Sequence, residues 1–154
     1  MRRAAGFTLT ELVIVISLIA ITSAVAGGLF LNTDRYATIG AREQLVSTAI
    51  VAQKRALANV VAGAPVTLSV TQSASEWLFN ISQGATTFDS QRASRAGAQL
   101  RIDGAVMGDG ATVALVFDEN AEIGSATQFV FSADNTHGVC LSATGFAYAG
   151  NCQP

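Results

Sequence analysis

The sequence predicts an α+β fold in which one long N-terminal helix, about residues 7–62, packs on a C-terminal antiparallel β-sheet. Three observations support this prediction. The N-terminal region has a long apolar run without charge, the next region carries apolar residues at helical spacing, and the chain beyond Pro65 consists of short alternating runs separated by turn residues. With 154 residues, half of them hydrophobic, the chain has room for one domain of ordinary size.

The first half of the predicted helix contains no formally charged residue from Leu12 to Leu31. As a helix this segment is about 30 Å long, enough to cross a bilayer. It is compatible with a secretory signal peptide, in which small residues such as Ala24 and Ala26 precede the cleavage site. It is equally compatible with a permanent anchor whose basic end stays inside. Neither explains Glu11, because a carboxylate within a membrane segment is costly and usually has a function.

The residues ahead of this segment are Gly6-Phe7-Thr8-Leu9-Thr10-Glu11. Together with the apolar run, this motif resembles the class III signal of type IV prepilins and type II secretion pseudopilins. The resemblance implies that residues 1–6 are a leader, which prepilin peptidase removes by cleavage after Gly6. Phe7 then becomes an N-methylated N-terminus, and the helix remains in the mature protein.

The resemblance also implies a division of the mature chain and a role for Glu11. Residues 7–31 form the transmembrane and filament-core half of the helix, and residues 32–154 form the globular head. In a filament, Glu11 pairs with the Phe7 ammonium of a neighbouring subunit, since two charges left apart in an apolar core are costly. Within its own uncleaved chain, Glu11 is expected to have no suitable partner.

Gly27 and Gly28 occupy the region where many pilins carry a proline. A glycine weakens a helix by about 1 kcal/mol relative to alanine, so a local bend or a melted turn is one interpretation. Close packing of helices through these small residues and Ala24 is the other. The sequence leaves both open.

The second half of the helix is predicted to face the sheet with an apolar stripe. Its residues recur at spacings of seven, four, seven and four: Ile39, Val46, Ile50, Leu57 and Val61. The helix is expected to stop at Gly63-Ala64-Pro65.

Short strand-like runs follow the helix, and they predict an antiparallel sheet. They cover residues 66–71, 76–81, 99–103, 112–117, 128–132, 138–142 and 146–149. The stretch 83–97 is rich in small and polar residues and is predicted to be a loop. Aromatic residues recur at near-alternating positions in the strands and are predicted to lie in the core: Trp77, Phe79, Phe117, Phe129 and Phe131.

The two cysteines, Cys140 and Cys152, are predicted to form a disulfide, as an even pair does in an exported chain. A zinc site is the weaker interpretation, because the only histidine, His137, leaves the set one ligand short. His137 is expected in a solvated turn, which argues against a Ser–His–Asp catalytic arrangement. We expect no enzymatic activity, no cofactor and no metal.

An acidic turn and a sequon are the remaining motifs in the head. Asp118, Asn120 and Glu122 alternate as calcium ligands sometimes do, but the spacing does not fit an EF-hand loop. We interpret them as a solvated turn. Asn80 begins a sequon that falls within a predicted strand, and we interpret this match as coincidence.

Net charge argues against broad electrostatic capture of nucleic acid. The full chain has a formal charge of −2, and removal of residues 1–6 leaves seven basic against eleven acidic residues, or about −4. The only basic cluster in the head beyond the helix consists of Arg92, Arg95 and Arg101. FimT-like pilins can bind DNA, so these three are the place to test nucleic-acid contact, although a solvated loop is the preferred interpretation.

A finer resemblance rests on the head. The segments "VALVFDENAEIG" and "GVCLSATGFAYAGNC" resemble those of the pseudopilin H group, which includes FimT-like minor pilins and the minor MSHA (mannose-sensitive haemagglutinin) pilin of C type. The resemblance implies a structural subunit of a pilus, of the minor class, held in the inner membrane with its head in the periplasm before assembly. Its partners would be other pilins, prepilin peptidase and the inner-membrane assembly platform. A minor pseudopilin of a type II secretion system and a DNA-binding FimT-like pilin are the alternatives.

Overall fold

The computed structural model describes residues 8–30, 33–59 and 63–153 of the chain, the side chains of residues 25–30 and 33–35 excepted. By their internal contacts the residues divide into two compact units, residues 1–33 and residues 34–154. The first unit contains helix α1, Leu9–Phe30. Helix α2, Thr33–Leu57, belongs to the second unit from Asp34 onward. With the antiparallel strands that follow, these helices confirm the α+β class.

The helix that was predicted to reach residue 62 ends earlier, at Leu57. The Asn59 backbone N–H donates to the Ala56 carbonyl at 3.0 Å, three residues back along the chain, where an α-helix would use the carbonyl four residues back. The Asn59 side chain donates to the carbonyl of Ala64 at 2.9 Å. The chain therefore turns before the predicted stop at Gly63. Residues 7, 31, 32 and 60–62 of the predicted helix lie outside the described residues.

Helix α2 does not bury the stripe that the sequence predicts. Its buried face consists mainly of small residues: Thr38, Ala41, Leu45, Thr48, Ala49, Ala52 and Ala56. Ile39, Val46 and Ile50 are half-buried, and Leu57 is 64% exposed. Val61, the last residue of the predicted stripe, lies outside the described residues. Large aromatic side chains from the strands fill most of the core. Because protein interiors are close-packed, only small side chains of the helix fit against them.

Nine strands follow α2 in the described part of the chain. They are β1 Val66–Gln72, β2 Glu76–Gln83, β3 Thr86–Ser94, β4 Gln99–Ile102, β5 Ala105–Val106, β6 Thr112–Phe117, β7 Thr127–Ser132, β8 Thr136–Leu141 and β9 Ala147–Ala149. They form two antiparallel sheets where the sequence predicts one. The first has the order β3-β2-β1-β6, and the second has the order β5-β4-β7-β8-β9.

Two local predictions were wrong for the same reason. The predicted loop 83–97 contains β3, which pairs with β2 over most of its length. His137, predicted in a turn, is the second residue of β8 and lies opposite Phe131. In both places cross-strand pairing overrides the weak β-propensity of the local sequence.

The predicted aromatic core is confirmed. Trp77, Phe79, Phe117, Phe129 and Phe131 are all fully buried. The Trp77 and Phe131 rings meet edge to face at 5.0 Å, an arrangement that adds about 0.5–1.5 kcal/mol beyond the area buried. Because Trp77 belongs to the first sheet and Phe131 to the second, this contact joins the two sheets.

Candidate assembly site

Glu11 and Thr8 together begin helix α1. The Glu11 Oε2 atom accepts hydrogen bonds from the Thr8 backbone N–H and from the Thr8 hydroxyl, both at 2.8 Å. In return, the Glu11 backbone N–H donates to the Thr8 hydroxyl oxygen at 3.2 Å. This reciprocal arrangement is a capping box, which satisfies N–H groups that the first helical turn leaves without partners.

The expectation that Glu11 has no partner in its own chain was therefore wrong. The signal that reveals the partner is present in the sequence: a threonine followed three residues later by a glutamate, just before an apolar run. The carboxylate keeps unused capacity, however. Both bonds from Thr8 go to Oε2, and within the described residues no hydrogen bond reaches Oε1.

The surface of α1 is apolar on all sides. Every side chain from residue 8 to residue 24 is exposed within this chain. The large hydrophobic ones are Leu9, Leu12, Val13, Ile14, Val15, Ile16, Leu18, Ile19 and Ile21. The hydroxyls of Ser17 and Thr22 donate to backbone carbonyls of Val13 and Leu18, at 2.8 and 2.9 Å. These hydroxyls thus place no unsatisfied donor on the apolar surface.

Within residues 8–30, 33–59 and 63–153, no helix is both long enough and apolar enough to qualify as a membrane-crossing segment.

Comparison with protein families finds a match at the N-terminus. Residues 1–27 match the family described as "Prokaryotic N-terminal methylation motif". The chain carries a class III prepilin signal. The match covers the first 27 of 154 residues and supports a likeness to the type IV pilins and pseudopilins. Comparison with curated proteins and with solved structures finds no match.

Two processing residues lie outside the described part of the chain. They are Gly6 and Phe7, so cleavage and methylation stay predictions; Leu31, the last residue of the predicted membrane segment, also lies outside the described residues. Gly27 and Gly28 are within α1, which continues as a helix to Phe30. The structure therefore shows no melted turn at the glycine pair.

The disulfide between Cys140 and Cys152 is confirmed, with Cα atoms 4.8 Å apart. It joins β8 to the segment after β9. Gln128 on β7 reinforces this connection: its side-chain oxygen accepts from the Cys152 amide at 2.5 Å, and its Nε2 donates to the Gly150 carbonyl at 3.2 Å. The C-terminal segment is thus held to the second sheet by a covalent bond and by one central glutamine.

The three arginines proposed for nucleic-acid contact have different surroundings. Arg92 on β3 forms an ion pair with Glu76 at 3.1 Å and stays largely exposed. Arg95 is only 14% exposed; it pairs with Asp109 and donates to the carbonyls of Ala98 and Ser73 at 2.7 and 2.8 Å. Arg101 is exposed on β4, in the other sheet. Arg95 therefore holds the turn that joins the two sheets, whatever else it contacts.

The acidic turn after β6 is organised by its own backbone. The Asp118 Oδ1 atom accepts from the amides of Asn120 and Glu122, at 2.9 and 2.8 Å. This is the way in which aspartate stabilises a tight turn. In the part of the chain that the structure describes, no cluster of three His, Cys, Asp or Glu side chains is arranged to hold a metal ion.

Proposed function

We propose that this chain is a non-enzymatic structural subunit, of the minor class, of a type IV pilus such as an MSHA-type pilus. The single observation that carries the proposal is the methylation motif at residues 1–27, which includes most of helix α1 and the apolar side chains that this helix exposes. An apolar surface of this kind needs a membrane or other helices around it. The subunit waits in the inner membrane with its head in the periplasm, and it then joins the filament through α1.

Processing creates the group that directs assembly. Cleavage after Gly6 releases an ammonium at Phe7, and methylation keeps its charge. In the filament this ammonium meets the Glu11 carboxylate of a neighbouring subunit. Thr8 occupies Oε2, and no hydrogen bond within the described residues reaches Oε1, so the same carboxylate serves the helix cap and the neighbour together. Neutralising both charges removes the cost of leaving either one alone among apolar helices.

Two substitutions separate these roles of Glu11. Glu11→Gln keeps the capping box, which glutamine also forms, and removes the charge. Thr8→Val removes the cap and keeps the charge. We expect Glu11→Gln to be processed and membrane-bound but to lose most of its incorporation into filaments, and Thr8→Val to retain it. Immunoblots of sheared filaments and of membranes measure both. Normal incorporation of Glu11→Gln into filaments would contradict the proposed pairing of Glu11 with the Phe7 ammonium of a neighbouring subunit.

The processing step has its own test. Mass spectrometry of the mature protein should find N-methylated phenylalanine at Phe7. Gly6→Ala should lower cleavage, so that the longer precursor accumulates on gels. A mature band of normal intensity from Gly6→Ala would contradict the assigned cleavage site.

Two alternative functions use the same N-terminal chemistry. A minor pseudopilin of the H type, in a type II secretion system, is processed and assembled in the same way, and the neighbouring genes distinguish it from a pilus subunit. A DNA-binding pilin of the FimT type would use the head. Mobility shifts with the chain and with Arg92→Gln and Arg101→Gln test it, since these two arginines are exposed and Arg95 is structurally engaged.

A further inference from the structure

The two cysteines of the disulfide differ in how far solvent reaches them. Cys140 lies in β8, with β7 on one side and β9 on the other, and is 1% exposed. Cys152 is half-buried, and its chain neighbours Asn151 and Gln153 are exposed. Thiol–disulfide exchange requires a thiolate to reach a sulfur atom, so access limits its rate. The exposure of the two residues therefore favours Cys152 as the position that meets an external reagent.

Hydrogen bonds that involve no sulfur atom hold the C-terminal segment, residues 150–153, against the second sheet. Its backbone N–H groups donate to one acceptor on each of three strands: Gly150 to the Gly138 carbonyl at 2.9 Å, Cys152 to the Gln128 Oε1 atom at 2.5 Å, and Gln153 to the Tyr148 hydroxyl at 3.1 Å. A hydrogen bond of this kind contributes about 0.5–1.5 kcal/mol. Together they can hold the segment in place while both cysteines are still thiols.

The Gln128 side chain is oriented by the sheet to which it belongs. Its Nε2 atom donates to the carbonyls of Phe129 and Val139, at 3.1 and 3.2 Å. These acceptors belong to β7 and β8, so they do not depend on the disulfide. The Oε1 atom is therefore directed at the Cys152 N–H before any bond between the sulfur atoms exists. A group that is held in place beforehand loses less entropy when its partner arrives.

Gly138 provides the room that the C-terminal segment needs. A methyl group at this position would lie 2.8 Å from the Gly150 carbonyl oxygen and 3.1 Å from the Gln128 Nε2 atom. Ordinary contacts of a methyl carbon are longer than about 3.4 Å, so a side chain at Gly138 would push the segment away. With glycine in place, the Cα atoms of Cys140 and Cys152 lie 4.8 Å apart, within the range that a disulfide spans.

We propose that Cys152 is the entry site at which an external disulfide donor oxidises the folded head, and that the C-terminal segment is in place before the bond forms. Cys140, which the folded head shields, takes part only in the second, intramolecular step. Gln128 is a positioning residue for that step. This inference concerns the head and does not depend on the proposed role of α1 in filament assembly.

The reaction is two successive thiol–disulfide exchanges. The Cys152 thiolate attacks one sulfur of the donor, the donor's S–S bond breaks, and its other sulfur leaves as a thiolate. The Cys140 thiolate then attacks the Cys152 Sγ atom, and the second donor sulfur leaves as a thiolate. The two cysteines lose two protons and two electrons in total, and the donor takes up both electrons.

Trapping of the mixed disulfide on the unmodified full chain in detergent tests the order of the two steps. The chain is reduced, freed of reductant and mixed with glutathione disulfide, and samples are quenched with acid during the reaction. Mass spectrometry of peptides should find the glutathione adduct on Cys152 at least tenfold more often than on Cys140. In concentrated urea the two adducts should agree within about twofold. Equal adducts in the folded chain, or an excess on Cys140, overturn the proposal.

Single-cysteine variants decide the question if the second step is too fast for an adduct to be trapped. Cys140→Ser leaves Cys152 as the only thiol, and Cys152→Ser leaves Cys140. The aromatic disulfide dithionitrobenzoate releases a coloured thiolate, and we expect it to react at least tenfold faster with Cys140→Ser than with Cys152→Ser. The two rates should become equal in concentrated urea. Similar rates for the two folded variants overturn the proposal.

A matched pair of glycine substitutions tests whether the C-terminal segment shields Cys140. Gly138→Ala places a methyl group against the segment, whereas Gly108→Ala adds the same group where no described atom lies within 4 Å. In the Cys152→Ser background, Gly138→Ala should raise the reaction rate of Cys140 at least fivefold, and Gly108→Ala should leave it unchanged. If Gly138→Ala left the rate unchanged as well, the segment would not shield Cys140, and the proposal would be wrong.

The role of Gln128 is tested by separating the two steps. Gln128→Ala should leave the rate of adduct formation at Cys152 unchanged, because that step needs only an accessible thiol. Release of glutathione from the Cys152 adduct, which reports the attack by Cys140, should be at least fivefold slower than in the unmodified chain. Unchanged release would overturn the positioning role, and so would equal slowing of both steps.

Discussion

Helix α1 and the head differ in two respects: how far along the chain their polar groups find partners, and whether their apolar side chains are buried. In α1, the described side chains are exposed, and the bonds of Thr8, Ser17 and Thr22 run no further than four residues along the chain. In the head, fully buried side chains come from α2 and both sheets, and polar contacts join distant residues, such as Gln53 to the Thr144 carbonyl. The form of α1 is therefore encoded locally, and its described apolar side chains stay exposed within this chain. The head is stabilised by contacts within itself.

The largest expected effect breaks the core of the head. Phe131→Ala removes a fully buried ring that contacts Trp77 edge to face, so we expect a loss of about 3–5 kcal/mol in the free energy of unfolding. Urea titration followed by the fluorescence of Trp77 measures it. Leu18→Ala in α1, where the side chain is 58% exposed, should leave that transition in place. An equal loss in both variants would contradict the separation of the two regions.

Removal of the disulfide is expected to have the next largest effect. The double variant Cys140→Ala with Cys152→Ala opens a connection between residues 12 apart in sequence, and we expect a loss of about 2–4 kcal/mol. Thermal unfolding should give a lower midpoint for the double variant. Chemical reduction of the disulfide in the unmodified chain is the control, and it should lower the midpoint by a similar amount. If neither the double substitution nor reduction changed the midpoint, Gln128 alone would hold the C-terminal segment.

A smaller effect tests the buried polar contact beneath the first sheet. Gln72 is 1% exposed; its oxygen accepts from the Trp77 indole N–H at 2.8 Å, and its nitrogen donates to the Met107 carbonyl at 2.7 Å. Gln72→Leu leaves both groups buried without a partner, so we expect a loss of about 1–3 kcal/mol. Gln99→Leu, at an exposed position on β4, should change stability by less than about 0.5 kcal/mol. Equal urea midpoints for the two variants would argue against this role.

The smallest effect concerns the start of α1. Thr8→Val removes the capping hydroxyl, and we expect the first turn to lose about 0.5–2 kcal/mol. Hydrogen exchange should quicken at the amides of the first turn and stay unchanged in the head. Thr10→Val is a matched control, since it makes the same substitution two residues away from the cap. Faster exchange in the head of the Thr8 variant would show that the two regions are coupled.

Local signals were predicted from the sequence with success. The methylation motif depends on a few adjacent residues, and the disulfide depends on two cysteines with no competitors. The aromatic core followed from the alternation of Trp77 and Phe79 in one strand and of Phe129 and Phe131 in another. The capping box of Thr8 and Glu11 was equally local, and it could have been found from the spacing of the two residues.

Predictions that needed a partner element failed. The periodicity of α2 correctly indicated a helix but favoured its larger side chains as the buried face, whereas the small ones around Ala49 are buried. The strand β3 was missed because its pairing with β2, and not its own composition, makes it a strand. Arg95 was interpreted as a solvated loop residue, yet it is 14% exposed and bonded on several sides.

The sequence alone determined the processing signal, the helical character of both halves of the N-terminal region, the disulfide and the aromatic core, because each depends on residues close together or of one strongly buried type. Only the tertiary structure decided which face of α2 is buried, that the strands divide into two sheets, and that β6 keeps a free edge. Those features depend on the volume and the hydrogen bonds that distant segments supply, and no short stretch of sequence contains that information.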